Sequence, residues 1–432
     1  MEKFVIRGGE PLSGELTAAG NKNAALPILA ACLLTDEELL LHRVPRIRDT
    51  EAQIALLERL GVESTWVADN SLRLCAQGVS DVAVDEELSN KIRASFLLAG
   101  PLLARFGEAR MPPPGGDFIG RRRLDAHLDA FADLGARVDG DRWIELTAPS
   151  GGLKACAIFM DEPSVMGTEN ALMAAALTPG PTTISNAACE PHVQDLARLL
   201  AKMGAEVDGI GSNVMTIHGR DRLGGAEHTI SPDHIEVGSF MALAAATGGE
   251  VRIRDADPAD LLTVRRQFRR LGLSSEIEGN DVIVPPGQDL RVKADVGDAI
   301  PKIEDGPWPA FPADLTSIAL ALATQADGEI LIFEKMFENR LFFVDKLVAM
   351  GARITLCDPH RAIVSGPSRL HGERVESPDI RAGMAMLIAA LAADGVSEIG
   401  NISQIDRGYE QIDERLRSLG ANIERVSAEV SA

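Results

Sequence analysis

Positive charge is scarce in this sequence. Its 432 residues include 43 Lys and Arg against 64 Asp and Glu, which gives a formal net charge of −21. A surface this acidic repels nucleic acid and anionic lipid, so neither is expected as a partner, and an anionic ligand would need a local concentration of basic side chains. The apolar content of 45% is sufficient for the cores of two or three domains.

Paired cysteines and long apolar runs are also lacking. The cysteines lie far apart without the spacing of a metal or redox site, which predicts reduced thiols and neither a metal nor a cofactor. The longest apolar stretches, residues 24–34 and 382–393, are shorter than the roughly 18 residues that span a bilayer. Residues 1–9 do not resemble a signal peptide, so a cytoplasmic protein without a membrane partner is expected. The five cysteines are Cys32, Cys75, Cys156, Cys189 and Cys357.

A short pattern, apolar-x-x-(Leu or Met)-Gly-(Ala, Val or Leu), recurs six times at intervals of 68 to 79 residues. In each copy the apolar periodicity changes from that of an amphipathic helix to that of a strand, which is typical of a glycine that ends a helix. The pattern therefore predicts six units, each containing a helix, a turn and a strand. The glycines are Gly61, Gly135, Gly204, Gly272, Gly351 and Gly420.

A second set of helices, rich in alanine and apolar on every face, recurs at nearly the same interval. A helix without a polar face is expected to be buried on all sides, so each unit should enclose one such inner helix beneath its strands and its amphipathic helix. The predicted inner helices start near Asn23, Arg93, Thr168, Glu236, Asp314 and Arg381.

Six units of this length divide into two halves of three rather than forming a solenoid. The predicted division lies near Pro232. The strand at residues 3–7 has no unit of its own and could pair with the last strand, near residues 423–426, which would place both ends of the chain in one half. The predicted domains are residues 22–232, and residues 1–21 together with 233–432.

Polar and ionisable residues stand at the predicted starts of the inner helices. If the helices of each half run parallel, their amino ends converge on one face, and two such faces would enclose a cleft. Helix amino ends attract anions, so the basic side chains of Lys22, Arg93 and Arg381 at equivalent positions predict a ligand with several negative charges. The alternative is that each basic residue extends its charged end to solvent or pairs with a local carboxylate.

Three further segments carry candidate functional residues. The segment 112–123 contains three prolines, three glycines and three arginines, which predicts a mobile loop of the first domain that places Asp117 over a ligand; a solvated turn is the alternative. Asp314, after two prolines, is either a helix N-cap or a catalytic base. Arg407 precedes the last amphipathic helix, beside the chain's only tyrosine, Tyr409.

Seven segments, in order along the whole chain, resemble the enolpyruvyl transferases. That resemblance implies an α/β (α+β) fold: a two-domain inside-out α/β barrel of six repeated units, three per domain, with buried inner helices. The segments are Gly20–Pro27, Arg93–Ser95, Pro114–Asp117, Phe311–Asp314, Phe337–Arg340, Asp379–Ala382 and Ile405–Glu410.

The resemblance also implies a reaction. Phosphoenolpyruvate would give its enolpyruvyl group to the 3-hydroxyl of UDP-N-acetylglucosamine with release of phosphate, the first committed step of peptidoglycan synthesis, in a monomer. Lys22, Arg122 and Arg407 would neutralise the phosphate and carboxylate, Asp314 would accept the hydroxyl proton, and Asp117 would protonate the methylene carbon. Further implied substrate-binding residues are Asn23, Arg93, Arg123, Leu124, Asp125, Ala126, Ser164, Val165, Met336, Arg340 and Arg381.

Three positions depart from the family pattern. Many members have cysteine at the position of Asp117, so the chain is expected to resist fosfomycin, an epoxide that alkylates that thiol, and protonation of Asp117 is hypothesised to accompany phosphoenolpyruvate binding. Arg123 stands where proline is usual, and Met166 where glycine is usual. Because both lie in the implied nucleotide site, they leave the acceptor open.

Three alternatives follow. The chain could be an enolpyruvyl transferase that acts on another nucleotide acceptor, of the uridine monophosphate type. It could be a non-catalytic paralogue that binds a nucleotide sugar, although such a protein needs no proton donor. A transferase for shikimate 3-phosphate is less favoured, because the Gly-Asp-Lys-Ser opening of that group is absent.

Overall fold

The computed structural model describes residues 2–117 and 119–427, which form a mixed α/β fold as predicted. The strands are β1 Glu2–Arg7, β2 Gly14–Thr17, β3 Leu39–His42, β4 Glu63–Ala68, β5 Ser71–Cys75, β6 Glu108–Met111, β7 Arg137–Asp139, β8 Ile144–Thr147, β9 Ala157–Phe159, β10 Gly180–Ser185, β11 Glu206–Asp208, β12 Val214–Gly219, β13 Ala226–Thr229, β14 Val251–Arg254, β15 Glu276–Glu278, β16 Asp281–Val284, β17 Lys302–Glu304, β18 Gly328–Phe333, β19 Ile354–Asp358, β20 Arg361–Gly366, β21 Arg374–Glu376, β22 Val396–Gly400 and β23 Asn422–Ser427.

Helices alternate with these strands. The α-helices are α1 Lys22–Ala30, α2 Arg48–Leu60, α3 Glu86–Ser89, α4 Ala99–Phe106, α5 Asp125–Asp133, α6 Val165–Ala176, α7 Pro191–Lys202, α8 His234–Thr247, α9 Leu262–Phe268, α10 Thr316–Ala323, α11 Val344–Ala349, α12 Ile380–Ala392 and α13 Ile412–Ser418. Six 3-10 helices cover Ala31–Leu34, Arg93–Leu98, Pro258–Leu261, Arg269–Leu271, Ala313–Leu315 and Ile402–Arg407 within the described residues.

In the part of the chain that the structure describes, the strands form six open sheets and no closed barrel. A typical sheet has the order β11-β12-β10-β9, in which β9 and β10 are parallel and flank the inner helix α6, while β11 and β12 form an antiparallel hairpin. Three other sheets also contain a parallel pair of strands that flanks an inner helix. β2 and β14 flank α8, β17 and β18 flank α10, and β21 and β22 flank α12. The six predicted units therefore correspond to six sheets.

The inner helices are buried as predicted. In α8 every residue from His234 to Ala245 is buried, and in α12 every residue from Ile380 to Leu391. Neither helix has a polar face that could be exposed to water, so each is stable only when the sheets and amphipathic helices around it exclude solvent.

The six repeated glycines end their helices as predicted. All have positive φ, for example 103° at Gly61 and 93° at Gly420. At Gly61 a Cβ atom would also lie 2.5 Å from the carbonyl oxygen of Gly78. An L-residue is strained in this conformation, so glycine allows the chain to turn from helix to strand.

Strand β1 completes the last sheet, β21-β22-β1-β23. It pairs antiparallel with β23, with Phe4 opposite Arg425 and Ile6 opposite Ile423. The predicted pairing of the first and last strands is confirmed. Phe4 and Ile6 are fully buried, so β1 contributes to the core as well as to the sheet.

The described residues form two compact units. Unit A contains residues 2–19, 119–121 and 232–427, and unit B contains residues 20–117 and 122–231. Each unit has its own hydrophobic core around three inner helices. The predicted domains, residues 22–232 and residues 1–21 with 233–432, stay a prediction. None of the helices described combines the length and the apolar composition needed to cross a membrane.

Candidate active site

Asp314 is the centre of a charged cluster in unit A. It lies in the 3-10 helix Ala313–Leu315 that leads into α10, and this helix has no side-chain cap, so the N-cap alternative for Asp314 is wrong. Its Oδ1 accepts a hydrogen bond from Arg340 Nη2 at 2.9 Å. Its Oδ2 accepts from Arg381 Nε at 3.1 Å and from Arg381 Nη2 at 2.9 Å. The structure thus brings three predicted site residues together.

Burial distinguishes the carboxylate from its two arginine partners. The side chains of Arg340 and Arg381 are 3% and 4% exposed, whereas that of Asp314 is 26% exposed. Burial lowers the pKa of both guanidinium groups, but the charge of Asp314 opposes it, and both pKa values are raised overall. Two fixed cations therefore hold a carboxylate whose exposed part is accessible to a small ligand, as a general base requires.

Aromatic side chains lie against this cluster. The Arg381 guanidinium lies 5.5 Å from the centre of the Tyr409 ring, and the Tyr409 hydroxyl lies 3.0 Å from Ser239 Oγ. His234, the first residue of α8, is buried and its ring contacts Trp308. Burial lowers the pKa of His234 to about 4; the charge of Asp314 opposes this shift and that of Arg381 adds to it. His234 is therefore neutral near pH 7.

Arg407 and Met336 also lie in unit A. Arg407 is the last residue of the 3-10 helix Ile402–Arg407, and its Nη1 donates to Gln404 Oε1 at 2.9 Å. Met336 follows β18 and its side chain is 37% exposed. The roles expected for both residues stay predictions.

In unit B, Lys22 is the first residue of α1. Its Nζ lies 2.9 Å from Asp49 Oδ2, and the two side chains are only 10% and 6% exposed. Asn21 caps the helix, because its side chain accepts hydrogen bonds from the backbone N–H groups of Asn23 and Ala24. Lys22 therefore has a carboxylate partner, which comes from α2 and not from a neighbouring position, and its expected role toward an anionic ligand stays a prediction.

Arg93 begins a 3-10 helix, Arg93–Leu98, rather than an α-helix. Its Nη2 donates to the carbonyl oxygen of Arg122 at 2.5 Å and to that of Arg123 at 3.4 Å. Burial, and then the charge of Arg122, lower the pKa of Arg93 to about 10. Arg93 thus fixes the main chain where the predicted loop ends.

The remaining candidates of unit B lie around the starts of α5 and α6. Arg123 Nε donates to Asp125 Oδ2 at 3.0 Å, and its Nη2 lies 3.7 Å from Asp161 Oδ2. Ser164 caps α6 by accepting from Gly167 N at 3.2 Å. The positions of the other candidates follow from the helix bounds: Leu124 precedes α5, Asp125 and Ala126 begin it, and Val165 begins α6.

Glu169 and Asn170 lie more than a turn inside α6, which begins at Val165 and not near Thr168 as expected. Asn170 Oδ1 accepts from Gly100 N, and its Nδ2 donates to the carbonyl oxygen of Phe96 and lies 2.8 Å from His127 Nδ1. Asn170 therefore ties the segment that follows Arg93 to the other helices of unit B.

The predicted loop 112–123 is divided between the units. Residues 119–121 belong to unit A, the other described residues, Asp117 included, to unit B, and Phe118 lies outside the described residues. Within unit A, Asn339 N donates to the carbonyl oxygen of Ile119 at 3.0 Å and Arg121 N donates to Glu338 Oε2 at 3.1 Å. The predicted mobility of the loop stays a prediction.

Several residues of these clusters were missed by the sequence analysis. Asp49, His127 and His234 are single polar residues at the starts of helices, with no pattern that links them to partners far away in the sequence. Glu334, whose Oε2 lies 3.8 Å from Arg340 Nε, and the neighbouring Asp305 carried a usable signal, since each directly follows a strand of the same sheet. Their proximity depends on the register of those strands, which a sequence pattern does not specify.

Comparisons with known proteins agree on one family. The model of the EPSP synthase (3-phosphoshikimate 1-carboxyvinyltransferase) family matches residues 6–416. Two relatives named UDP-N-acetylglucosamine 1-carboxyvinyltransferase come from Bradyrhizobium diazoefficiens and Treponema denticola. The first is 56% identical, covering 98% of both chains. The second is 53% identical, covering 98% of this chain and 99% of the relative.

Solved structures share the fold. The enolpyruvyl transferase NikO from Streptomyces tendae superposes with a TM-score of 0.88 at 25% identity, covering 99% of both chains. EPSP synthase from Acinetobacter baumannii superposes with a TM-score of 0.75 at 18% identity, covering 99% of this chain and 100% of the other, which supports the fold alone.

Proposed function

The chain belongs to the enolpyruvyl transferase family, and from that premise we propose that it transfers the enolpyruvyl group of phosphoenolpyruvate to the 3-hydroxyl of UDP-N-acetylglucosamine and releases phosphate. The observation that carries the proposal is sequence identity of 56% and 53%, over nearly the full chain, to two relatives named UDP-N-acetylglucosamine 1-carboxyvinyltransferase. The product would be the first committed precursor of peptidoglycan.

In unit A, the residues of the Asp314 cluster take part in proton transfer. Asp314 accepts the proton of the sugar hydroxyl as the oxygen attacks the substituted carbon of phosphoenolpyruvate. Arg340 and Arg381 hold the carboxylate on both sides, so that it needs little reorganisation during the reaction. Arg407 binds an anionic group of phosphoenolpyruvate.

In unit B, Lys22 and Arg122 bind the negative groups of phosphoenolpyruvate, which makes the alkene more electrophilic. Asp117 gives a proton to the methylene carbon, forming a tetrahedral intermediate. Loss of phosphate and of a proton from the new methyl group then restores the alkene in the product. The proposed nucleotide-sugar-binding residues are Asn23, Arg93, Arg123, Leu124, Asp125, Ala126, Ser164, Val165, Asp314 and Met336.

The departure at Arg123 is compatible with this acceptor. Its guanidinium pairs with Asp125 and lies near Asp161, so the added charge is largely balanced by carboxylates of the same unit. The uridine base and pyrophosphate therefore do not meet an isolated extra cation.

The test is phosphate release from phosphoenolpyruvate with a panel of acceptors. Release with UDP-N-acetylglucosamine and not with uridine monophosphate or shikimate 3-phosphate is the expected result. Release with another acceptor alone would assign the chain to a different branch of the family. Saturable binding of UDP-N-acetylglucosamine without release would indicate a non-catalytic paralogue.

Asp117 gives a separate test of the proton donor. Asp117→Asn is expected to lose most of its turnover, because an amide does not donate a proton as a general acid; turnover near the wild-type rate would remove Asp117 from this role. The unaltered chain is expected to keep its activity in fosfomycin, whereas Asp117→Cys supplies the thiol that the epoxide alkylates. The loss of phosphate release with time in fosfomycin is measured for the unaltered chain and for Asp117→Cys.

A further inference from the structure

Two carboxyl groups of unit A lie at the same edge of one sheet. Strands β17 and β18 are parallel, with Glu304 opposite Phe333, so Asp305 and Glu334 leave the two strands side by side. They are 1% and 0% exposed. Neighbouring buried carboxyl groups are costly unless they are protonated or receive hydrogen bonds.

The turn after β18 supplies hydrogen bonds to both groups. Asp305 accepts from the backbone N–H groups of Lys335 and Met336, the latter at 3.3 Å. Glu334 Oε1 accepts from Phe337 N at 3.1 Å. These bonds fix the orientation of both carboxyl groups, and Glu334 Oε2 is left 3.8 Å from Arg340 Nε.

Arg340 lies between two carboxyl groups. Its Nη2 donates to Asp314 at 2.9 Å, and its Nε lies near Glu334. Arg340 Nε and Glu334 Oε2 are both buried and make no hydrogen bond within the described residues. Glu334 therefore acts on Arg340 through its charge, and it competes with Asp314 for the same guanidinium group.

This inference rests on the proposed function, which makes Asp314 the proton acceptor. We propose that Glu334 is a positioning residue for the transfer reaction: it acts on Arg340, and through Arg340 it sets how strongly Asp314 holds a proton. When Glu334 is neutral, the full charge of Arg340 acts on Asp314 and weakens it as a base. When Glu334 is ionised, it shares the guanidinium and Asp314 becomes a stronger base.

The ionisation of Glu334 falls within an accessible pH range. Burial raises its pKa to about 8, an effect that the charge of Arg340 opposes and that of Asp305 increases. From α10 the Thr316 hydroxyl faces the carboxyl group and lowers its pKa. His360, between β19 and β20, contacts the backbone carbonyl of Glu334 through Nδ1 at 2.7 Å. As pH rises through about 8, Glu334 loses its proton and kcat is expected to rise.

The experiment measures kcat and both KM values from pH 6.5 to 9.5 for the wild type and two variants. The wild type is expected to show a rise of about threefold centred near pH 8. Glu334→Gln keeps the acceptor for Phe337 N but has no charge, so the rise should vanish while both KM values stay within about twofold. Asp305→Asn removes a charge that raises the pKa of Glu334, so the rise should move to lower pH.

Glu304→Gln is the matched control, because Glu304 precedes Asp305 but pairs with Lys302 on the surface, and it should leave the rise in place. A rise unchanged in Glu334→Gln, or absent from the active wild type, would overturn the inference. If Glu334→Gln does not fold, the inference would be overturned by a rise in kcat that stays at the wild-type pH in Asp305→Asn. Failure of the proposed function is distinguishable, since the wild type would then release no phosphate with UDP-N-acetylglucosamine at any pH.

Discussion

The two units hold candidate site arginines in different ways. In unit A, Arg340 and Arg381 share one carboxylate, Asp314, which raises their pKa values against the effect of burial. In unit B, Arg93 donates to main-chain carbonyl groups, and its pKa is lowered to about 10 by burial and by Arg122. A carboxylate partner neutralises charge, whereas a carbonyl partner orients the cation and leaves its charge in place. The arrangement around Asp314 in unit A therefore suits a base, and the one around Arg93 in unit B suits an anion.

Neutral histidines show the same difference. His234 of unit A and His127 of unit B are both buried, and burial lowers both pKa values. The pKa of His234 is about 4, because Asp314 opposes the effect of burial. That of His127 is about 3, because the charge of Arg93 adds to it. The charge that acts most strongly on the buried histidine thus differs in sign between the two units.

Asp314→Asn should break the arrangement of unit A and give the largest effect. It removes the carboxylate that two buried guanidinium groups share, which is expected to lower the free energy of unfolding by about 3–5 kcal/mol. Phosphate release should also be lost, since an amide cannot accept the proton. Urea unfolding and the phosphate assay measure the two effects. Asp327→Asn, which removes an exposed partner of Arg291, is the control and should change neither much. Full stability of Asp314→Asn would contradict the difference between the units.

Arg93→Met should break the arrangement of unit B, with a small effect on stability and a large effect on substrate binding. Loss of its bonds to carbonyl groups is expected to lower the free energy of unfolding by about 1 kcal/mol. Loss of its charge should raise the KM for UDP-N-acetylglucosamine by at least about tenfold. Initial rates and urea unfolding measure these changes.

Arg105 is a matched control for Arg93, because it also donates to backbone carbonyl groups of unit B, those of Leu33, Thr35 and Ala76. Arg105→Met should destabilise the fold and leave the KM unchanged. Equal KM values for Arg93→Met and the wild type would show that the charge of Arg93 serves structure alone.

Much of the fold could be predicted because its determinants are local. A glycine such as Gly61 ends a helix wherever a positive φ is required, and a helix such as α12 is apolar on every face whatever surrounds it. The pairing of β1 with β23 could be predicted because one strand had no unit of its own.

The charged clusters were harder to predict than the elements that carry them. Asp314 was recognised as a candidate, but its bonds to Arg340 and Arg381 depend on how α10 packs beside α12 and on side-chain orientation. The choice between base and N-cap was open for that reason. Lys22 and Asp49 likewise meet only through the packing of α1 on α2.

Acid unfolding sharpens the comparison of the two histidines. Each folded-state pKa is lowered, so below pH 6.5 the unfolded chain binds a proton that the folded chain does not. Stability is therefore lost as pH falls, by about 1.4 kcal/mol per pH unit for each residue, until the folded pKa is reached near 4 for His234 and near 3 for His127. His127→Gln and His234→Gln should each reduce this loss by about 2 kcal/mol between pH 7 and pH 5.

Urea unfolding at several pH values measures this loss. His371→Gln is the control, because that side chain is exposed to solvent. A variant that loses stability with pH as steeply as the wild type would show that its histidine is not buried in the neutral form.

Tyr409→Phe should give the smallest effect and tests what supports Arg381 besides Asp314. The ring remains against the guanidinium, and Ser239 Oγ still donates to the carbonyl oxygen of Ile235 at 2.8 Å, so the free energy of unfolding should fall by only about 1 kcal/mol. Tyr409→Leu, which also removes the ring, should cost more. Phosphate release by Tyr409→Phe should stay within about twofold of the wild type, because Asp314 keeps both arginines. A loss of release as large as that of Asp314→Asn would mean that the hydroxyl of Tyr409, and not the carboxylate alone, holds Arg381 in place.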